Sequence, residues 1–340
     1  MLRITGDINF TDGFFDTGFG IGSSIKNGAD PFANIERKES DFWFGNFECV
    51  CASVSDKEGI YRKQFIISPE NMSHIRHFNL YGVANNHVMQ HGGEAYKNML
   101  DYLRQNECLY VGSKDNKSVV IEHQSKKIGI IAFSLRPENF SDAPLYWSMP
   151  EYSDIEREIG ELSECDFRIV YVHWGNEFIN YPCIDQKNLA HLIIDKGADM
   201  IIGMHPHVLQ GFEIYKDKYI FYSLGNFVFN MPWEPTKYSA IVNVDFAGDQ
   251  PSISWDYTRI GVDYFPHYLE ENQVPKEFRF VYLNSLLQRC DENERYYSNV
   301  FAHVRDYRKA NYRDIFHNIP KFKFFDLSEI VSDFIKRRMK

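Results

Sequence analysis

Apolar residues recur along this chain in short blocks, each closed by a polar or glycine-bearing turn. Blocks of that length predict buried strands. Leu2–Thr5, Asp41–Phe44, Leu80–Ala84, Cys108–Val111, Phe167–Val172 and Asp199–Ile202 read as such strands. Ser118–Glu122 with Lys127–Phe133 reads as an antiparallel pair, and Gly211–Tyr215 with Tyr219–Ser223 as a hairpin around Lys216-Asp217-Lys218. Ser239–Phe246 and Ser252–Ile260 add a further β region, and Tyr61–Ile67 an edge strand. Stretches of helical period lie between them. Gly92–Gln105 sets Ala95, Met99 and Leu103 four apart on one face. Ser153–Leu162 and Asp185–Lys196 are helical, the latter stopped by Gly197. Asp30-Pro31 and Ser68-Pro69 each offer a cap and a first turn, predicting helices to Glu39 and His77. Residues 136–150 hold three prolines and no period, a loop placed to lie over a site. From about residue 272 helical patterning carries to the end. The expected organisation is an α/β domain over 1–262 with a helical extension over 263–340 packed on it.

Composition narrows the function more than the fold. At 340 residues there is ample material for a core. A net charge of −10 argues against a nucleic-acid backbone as the main partner. No run of 18 apolar residues is present, so no integral membrane segment is expected. The first strand starts directly after Met1, leaving no room for a signal peptide, and a cytoplasmic protein with six reduced thiols is the expectation. The segment from residue 272 carries 14 basic against 9 acidic residues, which suits a docking or packing element.

The chemistry collects at strand ends. Ile201-Ile202-Gly203-Met204-His205-Pro206-His207 is a buried strand running into two imidazoles, with Gly203 expected to turn the backbone and Pro206 to stiffen it. Asp7 follows the first strand, Glu48 the second, Asn86 and His87 the third, and His173 ends Phe167–Val172. Any one of these residues is common as an ordinary polar side chain. Five strand-terminal loops each supplying one, at the sheet edge where open α/β sheets keep their sites, point to one cluster. Mixed nitrogen and oxygen donors without thiolate suit Mn, Fe, Zn or Ni rather than calcium. Two such ions, about 3.5–4 Å apart, would clamp a phosphoryl group and activate water.

These residues sit in stretches that resemble a known family. Gly6-Asp7, Asn46-Phe47-Glu48, Ala84-Asn85-Asn86-His87 with Gly92, His173-Trp174-Gly175 with Glu177, Gly203-Met204-His205-Pro206-His207 and Tyr222-Ser223-Leu224-Gly225-Asn226-Phe227 run in family order over about residues 2–246. Together they resemble the CapA, or poly-γ-glutamate biosynthesis, proteins, a branch of the calcineurin-like metallophosphoesterases. The resemblance implies a four-layer α/β/β/α sandwich with a dinuclear metal site at one edge. By position, Asp7 and Glu48 would be shared carboxylates, Asn86, His173 and His205 would complete one metal site, and His207 would serve the other. His87 would be the general acid or charge stabiliser, and Glu177 would orient a ligand or a substrate amine. The superfamily histidine two residues after the first aspartate is Asn9 here, a weaker neutral ligand for the second ion. An acid common three residues after the Asn-Asn-His histidine is Gln90 here.

Three functions fit this reading. One is a metal-dependent hydrolase acting on a phosphoester, a γ-glutamyl polymer or a related cell-surface precursor. Another is a non-catalytic accessory subunit that binds an anionic polymer beside capsule-assembly proteins. The third is a structural single-metal domain.

Overall fold

Both faces of the central strands are buried, which is why they read as continuous apolar runs. Along Phe167–His173, Ile169 and Tyr171 join one apolar cluster while Val170 and Val172 join another. The computed structural model describes residues 1–338 apart from positions 14, 73, 249 and 292. In chain order come β1 (Leu2–Ile8), β2 (Phe42–Phe47), β3 (Val50–Cys51), β4 (Ile66–Ile67), β5 (Leu80–Gly82) and β6 (Leu109–Val111). β7 (Ser118–His123), β8 (Lys126–Ser134), β9 (Phe167–His173), β10 (Met200–Met204), β11 (Phe212–Tyr215) and β12 (Lys218–Phe221) follow. β13 (Asn226–Val228), β14 (Tyr238–Asp245), β15 (Ser252–Ile260) and β16 (Pro266–Leu269) complete the strands. The helices are α1 (Ile21–Lys26), α2 (Gly92–Gln105), α3 (Tyr152–Glu161), α4 (Ile184–Asp195), α5 (Phe280–Leu286), α6 (Asn293–Asn318) and α7 (Phe324–Arg338).

Two sheets carry the architecture. The first runs β16-β15-β14-β1-β2-β5-β6 with β13 paired to β1, and the second runs β11-β12-β10-β9-β8-β7. They face one another across a shared core: Leu2, Ile4 and Phe44 of the first sheet meet Ile130, Tyr171 and Ile202 of the second. The rings of Phe44 and Tyr171 lie 4.1 Å apart across it, and the Tyr171 hydroxyl donates to the Thr5 carbonyl at 3.0 Å. On the outer face of the first sheet, Trp43 and Tyr81 pack with Ile21 of α1 and Met99 of α2. On the outer face of the second, Val170 and Ile201 pack with Ile159 of α3 and Ile193 of α4. The fold is a four-layer α/β/β/α sandwich. α5 and the start of α6 add Phe280, Leu283 and Tyr296 to the inter-sheet core.

Several local expectations change. β1 continues through Asp7 to Ile8 instead of ending at Thr5, because one extra residue between Ile4 and Asp7 bulges it against β2. No helix spans 30–39. The Asp30 carboxylate accepts the Phe32 amide at 2.9 Å, an Asx turn that competes with helix, and the nearby helix is α1. Residues 68–77 form two 3₁₀ turns, Pro69–Asn71 and Ile75–His77. The edge strand expected at 61–67 is reduced to Ile66–Ile67, since Phe65 has a φ of 55° and a 3₁₀ turn covers Gly59–Lys63. The chain leaves the sheet later than its pattern suggests: Pro266–Leu269 is a strand paired with β15.

A polar turn ties the N-terminal loop to the last helix. Asp16 accepts the Asp12 amide at 2.6 Å, the Asp16 amide donates to the Lys63 carbonyl at 2.7 Å, and Lys63 Nζ meets the buried Asp326 of α7 at 2.5 Å. Burial and the neighbouring Asp12 charge push the Asp16 carboxyl up to about 7. Its folded pKa exceeds its unfolded value, so its stabilising contribution is full below about pH 4 and is lost as pH rises through about 7. Asp16→Asn is therefore expected to gain on wild type by about 1–2 kcal/mol more at pH 8 than at pH 5. Urea midpoints at the two pH values check this, and an equal difference at both would refute it.

Candidate metal centre

The site forms where the parallel strands of both sheets end at one edge. β1, β2 and β5 of the first sheet lead to Asp7, Glu48, Asn86 and His87, while β9 and β10 of the second lead to His173, His205 and His207. Two close approaches of backbone place them. A Cβ on Gly6 would fall 1.8 Å from the Gly225 carbonyl oxygen, the group that accepts the Asp7 amide at 3.0 Å. A Cβ on Gly203 would fall 2.0 Å from the Tyr222 carbonyl oxygen and 2.4 Å from Trp174 Nε1. Gly203 thus serves contact rather than turning, since it lies inside β10. The turn falls on the histidines themselves, with φ of 98° at His205 and 59° at His207. Positive φ in residues with a Cβ costs energy and is held where the surroundings over-determine it. Here the His205 amide points at Asp7 Oδ2 at 3.3 Å, and the Pro206 carbonyl accepts the Phe178 amide at 2.8 Å.

Glu48 stands at the centre. Its Oε1 lies 3.7 Å from His207 Nε2, 3.8 Å from His173 Nε2 and 3.9 Å from His87 Nε2. Glu48 is fully buried, and this Oε1 accepts no hydrogen bond. Both ring nitrogens of buried His205 also lack a partner. Buried polar atoms without partners are costly and demand an explanation. The separations are too long for hydrogen bonds. Two donors each about 2.1 Å from one ion lie about 3.0–4.2 Å apart, so they are right for ligands sharing a cation. Two trios, Glu48-His173-His205 and Asp7-Glu48-His207, each bring a donor atom within 4.8 Å of the others, with Glu48 common to both.

The electrostatics favour neutral rings at His173, His205 and His87 and divide the two carboxylates. Burial drives His173 and His205 well below the ordinary histidine value, reinforced by neighbouring imidazoles and Arg136. It lowers His87 as well, against the opposing hydrogen bond to Gln90. Burial raises Glu48 well above the usual carboxylate range, helped by the Asp7 charge. For Asp7 burial acts in the same direction but is outweighed by His207, His173 and Asn46, which hold it low. For His207 burial is likewise outweighed, chiefly by Asp7, and the ring is raised. Neutral His and ionised carboxylate are the forms a divalent cation requires.

Two expected site residues lie outside the trios. Asn9 turns its oxygen to the Thr11 amide at 3.0 Å and hydroxyl at 2.8 Å, an Asx turn, so that oxygen is not directed into the cluster. Glu177 stands apart from the trios, half-buried beside a cavity that His87 and His207 also line. His87 Nδ1 donates to Gln90 Oε1 at 2.9 Å, so the neutral ring carries its proton on that nitrogen. His87 is further stacked on Phe65 at 4.3 Å.

Sequence reasoning gave no role to Asn46, Asn85 or Asn226, whose amides hold the ligands. Asn46 Nδ2 donates to Asp7 Oδ1 at 2.8 Å and lies 3.4 Å from Glu48 Oε2 and 3.3 Å from His173 Nδ1. Asn85 donates to Asn46 Oδ1 at 3.1 Å, Asn86 Oδ1 stands 2.8 Å from His173 Nε2, and Asn226 Oδ1 stands 3.0 Å from His207 Nδ1. Arg136, past the end of β8, donates to the Gly175 carbonyl at 2.8 Å while its buried Nε has no partner. The available signal was an asparagine inside three of the motif stretches, at Asn46, Asn85 and Asn226, a residue type that turns use equally well.

Comparison with known proteins gives the chain its relatives. Residues 2–231 match the model of a family described as bacterial capsule synthesis protein PGA_cap. A capsule biosynthesis protein CapA of Bacillus anthracis is 33% identical over 229 residues, covering 60% of this chain and 54% of that protein. A PGA biosynthesis protein CapA of Bacillus subtilis is 31% identical over 233 residues, covering 64% of this chain and 61% of that protein. The chain thus spans between half and two thirds of the length of these relatives. Among solved structures, a 5'-nucleotidase from Candida albicans aligns with a TM-score of 0.48 at 12% identity, covering 91% of this chain and 58% of that one.

Proposed function

The chain belongs to the PGA_cap family of bacterial capsule synthesis proteins, and from that premise we propose that it is a metal-dependent hydrolase. Its substrate would be a phosphoester or a γ-glutamyl or other cell-surface polymer precursor. The observation that carries this reading is Glu48 Oε1, buried without a partner among three imidazole nitrogens at 3.7–3.9 Å. Asp7, Glu48, Asn86, His173, His205 and His207 would hold one or two divalent cations, Mn, Fe, Zn or Ni by donor type. When bound, such ions supply Lewis acidity and a water of lowered pKa.

The chain's own groups do the rest. Asn46, Asn85 and Asn226 fix the donors so that little reorganisation is needed. His87 lines the cavity, with Gln90 holding Nδ1 and leaving Nε2 to move a proton to or from the substrate. Gln90 orients the ring without adding the charge a carboxylate would. Phe65, stacked on His87, and Phe178, 6.3 Å from His207, give each ring an apolar neighbour beside the cavity.

The test is metal content together with p-nitrophenyl phosphate turnover after chelation and return of Mn²⁺. Restored turnover, lost by about 10²–10⁴-fold in His87→Ala with metal content unchanged, is the expected result. Metal that loads without any turnover would instead favour the accessory reading, in which the site holds an anionic polymer. Neutral Gln90 beside His87 and the Asn9 oxygen committed to Thr11 are the observations on that side. Chelation that unfolds the chain and nothing else would leave only a structural metal.

A further inference from the structure

We infer that α6 and α7 complete the ligand site, and that the ligand they select carries an ammonium and a carboxylate together, held between Glu177 and Arg308. The inference rests on the proposed cation site and adds what lies above it. A cavity of ≈ 330 Å³ is lined by His87 and His207, and Tyr307, Arg308 and Asn311 of α6 with Ile330 of α7 also form part of its wall. These helices lie beyond the stretch matched by the family model, which ends at residue 231.

The wall is fixed in place. Tyr307 stacks on Phe178 with ring centroids 4.1 Å apart, and His303 Nδ1 meets the Phe178 carbonyl at 2.8 Å. Asn299 donates to the Tyr181 hydroxyl at 2.8 Å, and Asn176 to the Tyr296 hydroxyl at 3.2 Å. α6 is therefore docked on the loop that follows His173. α7 is held separately, by Asp326 on Lys63 and by Phe322 edge-on to Phe19 at 5.0 Å just before it. A helix pair anchored at both places presents its cavity-facing side chains at set positions.

Charge decides what that wall would bind. Glu177 is half-buried and has no hydrogen bond or ion pair among the described residues. Arg308 lines the same cavity, is exposed, and has none either. The two do not pair with each other. An unpaired carboxylate beside the cavity repels a ligand that is only anionic and favours one with a cationic group. The Arg308 guanidinium, with the Asn311 amide in the same wall, suits a carboxylate, which a guanidinium fork can take in two parallel bonds. Phe178, Met231 and Tyr307 between them lower the local dielectric and strengthen both interactions. A compact ligand with both charges, as at the end of an amino acid, satisfies this wall where a simple anion does not.

Four phosphate probes separate the terms on the Mn²⁺-loaded full chain by titration calorimetry. Ethyl phosphate has neither extra charge, O-phosphoethanolamine has the ammonium, 2-phosphoglycolate has the carboxylate, and O-phospho-L-serine has both. O-phospho-L-serine is expected to bind wild type at least about ten-fold more tightly than ethyl phosphate and more tightly than either singly charged probe. In Arg308→Gln its affinity should fall to that of O-phosphoethanolamine, and Arg308→Lys should recover part of the loss. Arg313→Gln, on the same helix and outside the cavity wall, should match wild type. O-phospho-L-serine no tighter than 2-phosphoglycolate, or unaffected by Arg308→Gln, would overturn the inference while leaving the cation site standing. Failure of Mn²⁺ to load, or of ethyl phosphate to bind at all, would sink the cation site and this inference with it.

Discussion

Glu48→Gln is expected to be more stable than wild type when both are metal-free, and less stable when both are given excess Mn²⁺. Without a cation, Glu48 is a buried carboxylate with one oxygen lacking any partner, and a neutral amide of the same shape avoids that desolvation. A gain of about 1–3 kcal/mol is the expected size of that relief. With Mn²⁺ the order reverses, because the oxygen common to both trios is gone. Wild type held at 100 times its dissociation constant gains about 2.7 kcal/mol from the bound ion, and the variant should gain little of it. Urea unfolding with chelator and with Mn²⁺, alongside metal analysis, reads both halves. A Mn²⁺-induced shift as large in the variant as in wild type would remove Glu48 from the ligand set.

The second large effect is purely steric. Gly203→Ala puts a methyl group 2.0 Å from the Tyr222 carbonyl oxygen and 2.4 Å from Trp174 Nε1. Those two atoms share a 2.9 Å hydrogen bond in a fully buried setting. Backbone cannot retreat as a flexible side chain can, so β10 must shift away from its neighbour. Overpacking costs about 1–3 kcal/mol, and breaking the buried bond adds about 1–3 kcal/mol. A total loss of about 3–5 kcal/mol is expected, with the urea midpoint falling and its slope unchanged. The same shift would move His205 and His207, so metal affinity should fall as well. A variant within 1 kcal/mol of wild type would show that the strand end is more plastic than its packing suggests.

How far the sequence revealed the molecule depends on the kind of contact involved. Strand ends were legible because buried parallel strands leave a periodless apolar run, and open α/β sheets place their chemistry where such runs stop. Asp7, Glu48, His173, His205 and His207 were singled out in that way and lie close together in the fold, and the four layers came with the family resemblance. The roles of the glycines were not legible. Gly203 was read as a turn, but a sequence cannot distinguish a residue that must bend from one that must let a carbonyl approach. The helix expected from Asp30-Pro31 failed for a local reason, the Asp30 side chain bonding the Phe32 amide. Asn46 escaped notice because its task is to orient carboxylates from a neighbouring strand, a relation fixed only by register. The cavity wall of α6 was hidden further still. Tyr307, Arg308 and Asn311 sit in an ordinary amphipathic pattern, and only the docking of His303 and Tyr307 onto Phe178 shows which face looks inward.

The division of donors between the two sheets has a consequence for how the protein assembles. Asp7, Glu48 and Asn86 arrive on one sheet, and His173, His205 and His207 on the other. A cation held by both would act as a clasp at one open edge of the sandwich, joining positions as far apart as Asp7 and His205, 198 residues distant along the chain. Closing so long a loop is entropically costly and is normally deferred until local structure has formed. The clasp would then fasten late, after each sheet has largely organised itself. Once fastened it would resist parting of the layers in the manner of a covalent cross-link, and removing the ion would loosen that edge first.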